Sequence, residues 1–309
     1  MTEQSRREVT GRVTEVFVGH RELLFSVVYN ILGSVADTED VLQETWLSWA
    51  ARTGRGDVEQ VENPRAYLVR IAVNQALARR AEIDRRRETY VGQWLPEPVI
   101  AALGDTSGGS DAADPAVRAD SASMALLVVL ETLTPAERAV FVLHEVFGFA
   151  HTEIADMLGR SPAAVRQLAH RAREHVRARR PRCHADPRLR REVTERFLAA
   201  ALGGDLEALL EVLAPNVTLW TDGGGKGPAT SLQPIHGRVS VAHTLLAVAA
   251  NVGSLDVRYR RVNGDPSAVL FDSGFPLAVL VLDLVPGGRQ VCGVYSVTNP
   301  DKLARIHCP

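Results

Sequence analysis

In 161-SPAAVRQLAHRAREHVRARR-180, the residues Arg166, Gln167, His170, Arg171, Arg173 and Arg177 recur at intervals that place them on the outer side of one helix. Val165, Leu168 and Ala172 turn the other way. Guanidinium, amide and imidazole groups in such an array can donate to base edges and phosphates in a DNA major groove. Arg177, Arg179 and Arg180 prolong the basic stripe, which suits a salt-dependent phosphate contact. Ser161 caps the helix and Pro162 stands in its first turn. Before it lie 151-HTEIADML-158, with Ile154 and Leu158 inward, and a turn at Gly159; Ala155 is small enough for two helices to cross closely. The pattern is a helix-turn-helix, with Ala150 standing where a capping serine is usual.

A second set of candidates has opposite polarity on successive helices. Asp37, Asp40 and Glu44, spaced i, i+3 and i+7, share one face opposite the Trp46 stripe. The helix opened by Pro64 carries Arg65, Tyr67, Arg70, Asn74, Arg79 and Arg80, with Asn63 just before it. Beside the loop 53-TGRGDVEQVENP-64, such aromatic, amide and arginine groups could hold bases displaced from a stack.

The third candidate is 220-WTDGGGKGPATSLQPIHGR-238, where three glycines separate Asp222 from Lys226. A nucleotide phosphate loop needs a wider glycine spacing, a Ser or Thr after the lysine and a helix directly behind. Here Gly227 and Pro228 follow, so the phosphate reading fails and a hairpin tip or docking loop remains. Asp222, Asp256, Tyr259 and His236 are candidates by type for carboxylate-base isomerase chemistry, but no spacing forces two of them together.

The elements that position these residues follow from periodicity. Helices are predicted at 12–33, 37–51, from 64 to about 80, from about 116, and at 134–146, where Thr134-Pro135-Ala136-Glu137 forms a capping box. Between them, 104-GDTSGGSDAADP-115 reads as a flexible acidic linker, and 94-WLPEP-98 as a segment with somewhere to dock. Beyond about residue 188, helices at 190–202, 205–213 and 238–251 join strands at 216–221, 255–262, 267–271, 275–285 and 289–297. This predicts an α+β domain with an antiparallel sheet.

Length and composition fit this division, since 309 residues with 46% apolar content allow two or three domains. Residues 37–62 carry seven acids and two bases, residues 63–88 seven arginines and three acids, and residues 151–191 eleven arginines and four acids. Two basic blocks predict two anion-binding surfaces, and the acidic one a basic partner. Only Lys226 and Lys302 among the 35 basic residues are lysine. Cys183, Cys292 and Cys308 are too scattered for a disulfide framework or zinc site, and no membrane span or signal peptide is evident, which predicts a cytoplasmic protein.

The segments 39-EDVLQETWL-47, 64-PRAYLVRIAVNQALARR-80 and 133-LTPAERAVFVLHEVFGFAHTEIADMLGRSPAAVRQLAHRARE-174 resemble regions 2 and 4 of an extracytoplasmic-function (ECF) sigma factor of the sigma-70 family. The resemblance covers about residues 10–180 and implies region 2 at 10–91, a linker at 92–115 and region 4 at 116–182, both regions all-helical. It also implies that Asp37, Asp40 and Glu44 face the β′ clamp helices of the RNA polymerase core, whose β flap is a further contact. Asn63, Arg65, Tyr67, Arg70, Asn74, Arg79 and Arg80 would serve the minus-ten element and the recognition helix the minus-thirty-five element of promoter DNA; Ala78 replaces the Asp that often precedes the arginine pair.

Residues 188–309 resemble a SnoaL-like domain, the cone-shaped α+β fold of ketosteroid isomerases, fused to a subgroup of these factors. Its signatures match Trp94, Leu95 and Pro96 in the linker, Asp222, Gly223, Gly224, Gly225 and Lys226, and Asn299, Pro300, Asp301 and Lys302. The resemblance implies a non-enzymatic regulator that needs no cofactor, metal, membrane or separate anti-sigma factor, with room for a small ligand in its last domain. The alternative is a stand-alone helix-turn-helix DNA-binding regulator with a ligand-sensing C-terminal domain.

Overall fold

The sequence dictates a long first helix, because Val13, Phe17, Leu24, Val27, Val28, Ile31 and Leu32 fall on one stripe, and all are buried. In the computed structural model this helix, α1, spans Glu3–Leu32, and Gly33 ends it with φ of 72°. Residues 3–53, 61–100, 122–179, 186–228, 231–253 and 255–307 are described. The loop core at 54–60, the acidic linker from 101 with the helix start at 116, Arg180, Cys183 and Cys308 lie outside them.

The chain divides into two units. The first contains α1, α2 (Val35–Thr53), α3 (Pro64–Arg87, through Arg86), α5 (Pro135–Phe141) continuing into a π-helical turn (Val142–Val146), α6 (His151–Leu158) and α7 (Pro162–Arg179, through Ala178). Trp49 is fully buried between α1 and α3, donating its indole N–H to the Val13 carbonyl at 3.0 Å and tilting against Tyr67 at 5.9 Å. The predicted helix at 134–146 begins at its capping box, with Glu137 accepting from the Thr134 N–H and Thr134 accepting in return. It changes to π geometry at Val142, a widening that periodicity does not reveal.

A buried ionic cluster joins these helices. Arg138, 1% exposed, donates to the Asn30 carbonyl at 2.9 Å and to Glu131 at 2.6 Å. The same carboxylate takes Arg80 at 2.7 Å, and Arg80 also reaches Asp84. Two guanidiniums removed from water therefore share one carboxylate, whose field more than offsets the burial that would otherwise lower the Arg80 pKa.

The second unit holds residues 87–100, most of α4 (Met124–Leu130), α8 (Pro187–Gly203), α9 (Leu206–Val212), α10 (Arg238–Ala249), the short α11 (Pro300–Leu303) and a six-stranded sheet. Its strands are β1 (Leu213–Asp222), β2 (Ile235–His236), β3 (Asp256–Val262), β4 (Asp265–Asp272), β5 (Phe275–Leu284) and β6 (Val291–Val297), in the order β2-β1-β6-β5-β4-β3. One core lies between the sheet and α8 to α10, around Phe197, Leu209, Val241 and Leu282. The other gathers Val269, Val279, Val281 and Tyr295 with Leu95 and Met124.

One expectation is corrected here. The sheet is mixed, because β1 pairs with β6 in parallel while every other pairing is antiparallel. The long path from 222 to 291 supplies the crossover that a parallel pair requires. The described part of the linker is also docked: residues 95–98 are buried, and Ile100 bridges Val262 on the edge strand β3. Its N–H groups find partners in the sheet unit, Val99 bonding the side-chain oxygen of Asn263 at 3.3 Å.

Removing the shared carboxylate with Glu131→Ala is expected to destabilise the first unit by about 3–5 kcal/mol, since the buried Arg138 guanidinium loses its carboxylate and Arg80 keeps only Asp84. Urea denaturation of the variant against wild type measures this as a lowered midpoint.

Candidate functional site

The DGGGK loop closes the strand β1, and the register Asp222↔Val297 brings residues 299–302 beside it. Backbone bonds from Thr298 and Asn299 to the Asp222 carbonyl, at 2.8 and 2.9 Å, extend that pairing past the strand end. The Asp222 carboxylate, wholly buried, then collects donors from three stretches of chain. Tyr90 donates its hydroxyl at 2.5 Å, Leu95 its backbone N–H at 2.8 Å, and Lys302 its ammonium at 2.6 Å. Lys302 also donates to the Leu95 carbonyl at 2.5 Å and lies 3.6 Å from the Trp94 ring centre, with Tyr90 at 5.3 Å. Arg87 stacks on Trp94 at 4.3 Å, and Asn299 donates to the Tyr90 oxygen at 2.8 Å. Aromatic faces and a carbonyl thus hold a cation that burial alone would discharge.

Burial lowers the Lys302 pKa from the ordinary lysine value and Asp222 opposes that fall. Burial first, and then the bond to Asp222, push the Tyr90 hydroxyl well above the ordinary tyrosine range. The centre thus holds Tyr90, Trp94 and Leu95 against Asp222 and Lys302.

The glycines are needed for contact. Gly224 and Gly225 hold φ of 59° and 72°, and a β-carbon on Gly224 would collide with Asn299 and Tyr90. A β-carbon on Gly227 would strike the Thr298 carbonyl. Lys226 is exposed and pairs with Asp301 at 2.5 Å. Sequence reasoning named both lysines; Lys226 lies at the surface and Lys302 is buried. Gly223 is buried and accepts from Lys226 and Gly227 to tighten the turn; Pro96 is buried and Pro300 opens α11. The other enzyme candidates do not converge on Asp222: His236 meets Thr218 on β1, Asp256 pairs with Arg258, and Tyr259 lies under Arg191.

In the first unit, α6 and α7 form the expected helix-turn-helix. Ile154, Ala155, Val165, Leu168 and Ala172 are buried, with Met157 and Ala169 joining them; Leu158 is half-buried. Gly159 adopts the left-handed conformation at the turn. Arg166, Gln167, His170, Arg171 and Arg177 are exposed on α7, while Arg173 is half-buried against Glu145 at 2.6 Å. Glu137 approaches Arg171 at 3.4 Å. Glu153 accepts from the Ala150 N–H at 2.7 Å, which satisfies the donor end of the cap that alanine cannot complete.

The α2 and α3 candidates separate. Asp40 and Glu44 are exposed, but Asp37 is buried between Arg79 at 3.2 Å and Arg86 at 2.7 Å. Arg79 also pairs with Asp40 and Glu82. Arg80 does not belong to the exposed basic face, because its guanidinium is committed to the buried Glu131 cluster. Asn63 caps α3, accepting from Ala66 at 3.0 Å; Arg70 is exposed; Tyr67 is half-buried beneath Arg52. Asn74 donates to the Met157 carbonyl at 3.1 Å and Arg65 lies 4.7 Å from the Phe149 ring, so elements of the helix-turn-helix side engage both.

Tyr90, Arg87 and Met124 were missed from sequence. Tyr90 offered one signal, a tyrosine four residues before a docking Trp-Leu pair.

The sigma-70 region 2 model matches residues 16–86 and the sigma-70, region 4 model residues 123–176. The chain is 36% identical over 301 residues to the ECF RNA polymerase sigma factor SigJ of Mycobacterium tuberculosis, covering 93% of this chain and 92% of that protein. It is 31% identical over 294 residues to the probable ECF RNA polymerase sigma factor SigI of the same species, covering 94% of each. The crystal structure of M. tuberculosis SigJ superposes with a TM-score of 0.73 at 33% identity, over 94% of this chain and 98% of that one.

Asp222→Ala is expected to cost about 3–5 kcal/mol in the second unit by leaving the Lys302 ammonium buried without its carboxylate. The double variant Asp222→Leu, Lys302→Met should recover most of that loss, and chemical denaturation of the three proteins measures the coupling. A second outcome concerns alkali. Folded Tyr90 keeps a proton that an unfolded tyrosine releases at about pH 10, so its contribution is intact below that pH and is lost as pH rises above it. Tyr90→Phe should therefore flatten the alkaline fall of the melting temperature.

Proposed function

Because the chain belongs to the ECF sigma factors of the sigma-70 family, non-enzymatic subunits that act with RNA polymerase in transcription initiation, we propose that its SnoaL-like C-terminal domain regulates it by fixing the connector between regions 2 and 4. The carrying observation is the buried Asp222 carboxylate, which binds Tyr90 and Leu95, at the end of region 2 and in the linker just after it. Support comes from the far end of the connector, where Met124 and Ala125, at the start of region 4, belong to the same core as Leu95.

In this reading Arg166, Gln167, His170, Arg171, Arg173 and Arg177 of α7 enter the major groove at the minus-thirty-five element, the glutamate pairs of Arg171 and Arg173 giving way to phosphates. Asn63, Arg65, Tyr67, Arg70, Asn74 and Arg79 serve the minus-ten element. Arg65 and Asn74 must first leave Phe149 and Met157, so the arrangement described is a closed one. Asp40 and Glu44, with Asp37 behind them, present the acidic face to the β′ clamp helices, and region 4 meets the β flap. The C-terminal domain takes the place of a separate anti-sigma protein. Among the described residues no helix is long and apolar enough to cross a membrane, which fits action in the cytoplasm.

Promoter-dependent transcription by purified polymerase core, with wild type and Tyr90→Phe under conditions where both are folded, tests the regulatory reading. Loosening the linker should change the yield several-fold in one direction, and a chain ending before Arg188 should reproduce that direction. Equal transcription from all three proteins would remove the connector from the account.

A further inference from the structure

Away from the linker, α8 meets the edge strand β3 and its neighbour β4 around a cleft of about 280 Å³. Four arginines line it, Arg188 and Arg191 from α8 and Arg260 and Arg261 from β3, and no acid does. The nearby carboxylates are engaged elsewhere: Asp256 with Arg258, Glu192 with Arg289, and Asp186 as the cap of α8. Asp265 lies 3.4 Å from Arg190, outside the lining. Among the described residues Glu195 pairs with a lining arginine, Arg191, at 2.9 Å. Arg260 and Arg261 each place one guanidinium N–H on a backbone carbonyl, of Tyr259 and Gly264, which orients their forks without neutralising them.

Like charges gathered in a concave site repel one another and focus a positive potential, a cost that a bound anion offsets. Guanidinium forks match the oxygens of phosphates and carboxylates in pairs. The floor is different in character. Thr194 and Ser267 are each 1% exposed, and their hydroxyls donate inward to the carbonyls of Arg190 and Asp265. Pro187, Pro266 and the half-buried Tyr259 complete the lining with apolar surface. The volume is near the lower end of small-molecule pockets, about 300 Å³, and is larger than a bare inorganic anion fills. A duplex backbone would lie across an open basic surface instead.

We infer that this cleft is a binding site for a small organic phosphate monoester, its doubly charged head held by Arg188, Arg191, Arg260 and Arg261 and its apolar body seated on Tyr259 and the floor. The inference goes beyond the connector reading and does not rest on it.

Phenyl phosphate is the probe, titrated calorimetrically into the full chain at 0.15 M salt. Binding in the submillimolar range is expected, at least tenfold tighter than inorganic phosphate and absent for benzyl alcohol. Arg191→Ala and Arg261→Ala should each weaken it tenfold or more with unchanged melting curves, while Arg289→Ala, outside the cleft, should not; if one lining variant fails to fold, the other carries the test. No heat at millimolar phenyl phosphate would overturn the assignment. So would equal affinity for inorganic phosphate, full competition by a short DNA duplex, or equal weakening by Arg289→Ala. Since the readout is binding and not transcription, failure here leaves the connector reading standing.

Discussion

A carboxylate with no access to water has to be matched by charge and hydrogen bonds, and Asp222 is matched by groups more than 200 residues apart in sequence. Desolvation makes each of those partners obligatory. Lys302 needs Asp222 as much as Asp222 needs Lys302, and neither is screened by solvent. The arrangement therefore behaves as a single fastening, in which loss of the linker uncovers an ion pair and loss of the ion pair releases the linker.

What could be read from sequence was what neighbouring residues determine among themselves. The apolar stripe of α1, the Thr134 capping box and the small-residue crossing at Ala155 are local patterns, and each produced the element expected. The docking of Trp94 and Leu95 was also legible, since a tryptophan and leucine in a polar stretch have to be covered. Choosing between the two lysines was not. Lys226 is only four residues from Asp222 in sequence, but the parallel register of β1 and β6 presents Lys302 instead, and a register linking residues 222 and 297 leaves no trace in either segment alone. Arg80 illustrates the same limit: its position beside Arg79 implied a shared face, yet Glu131, on the far side of the connector, draws it into the interior.

Electrostatics also organises the first unit. Arg171 and Arg173 are held by acids from preceding helices, and Arg79 by Asp37 and Asp40, so several groups suited to contact phosphate or a basic partner are neutralised within the unit. Of these pairs, Arg79 with the buried Asp37 and Arg173 with Glu145 are partly shielded from water, whereas the exposed Arg171 guanidinium is the more readily exchanged.

The parallel pairing of β1 with β6 has a consequence for synthesis. A chain emerging from the ribosome presents its helical regions first, and the strand that completes the middle of the sheet comes about seventy residues after the strand it flanks. Until residues 291–302 have appeared, Asp222 has neither its strand partner nor its ammonium, and the linker has nothing to close upon. Every molecule therefore passes through a period in which the helices of its first unit exist and the fastening at Asp222 does not, and the length of that period is set by translation speed.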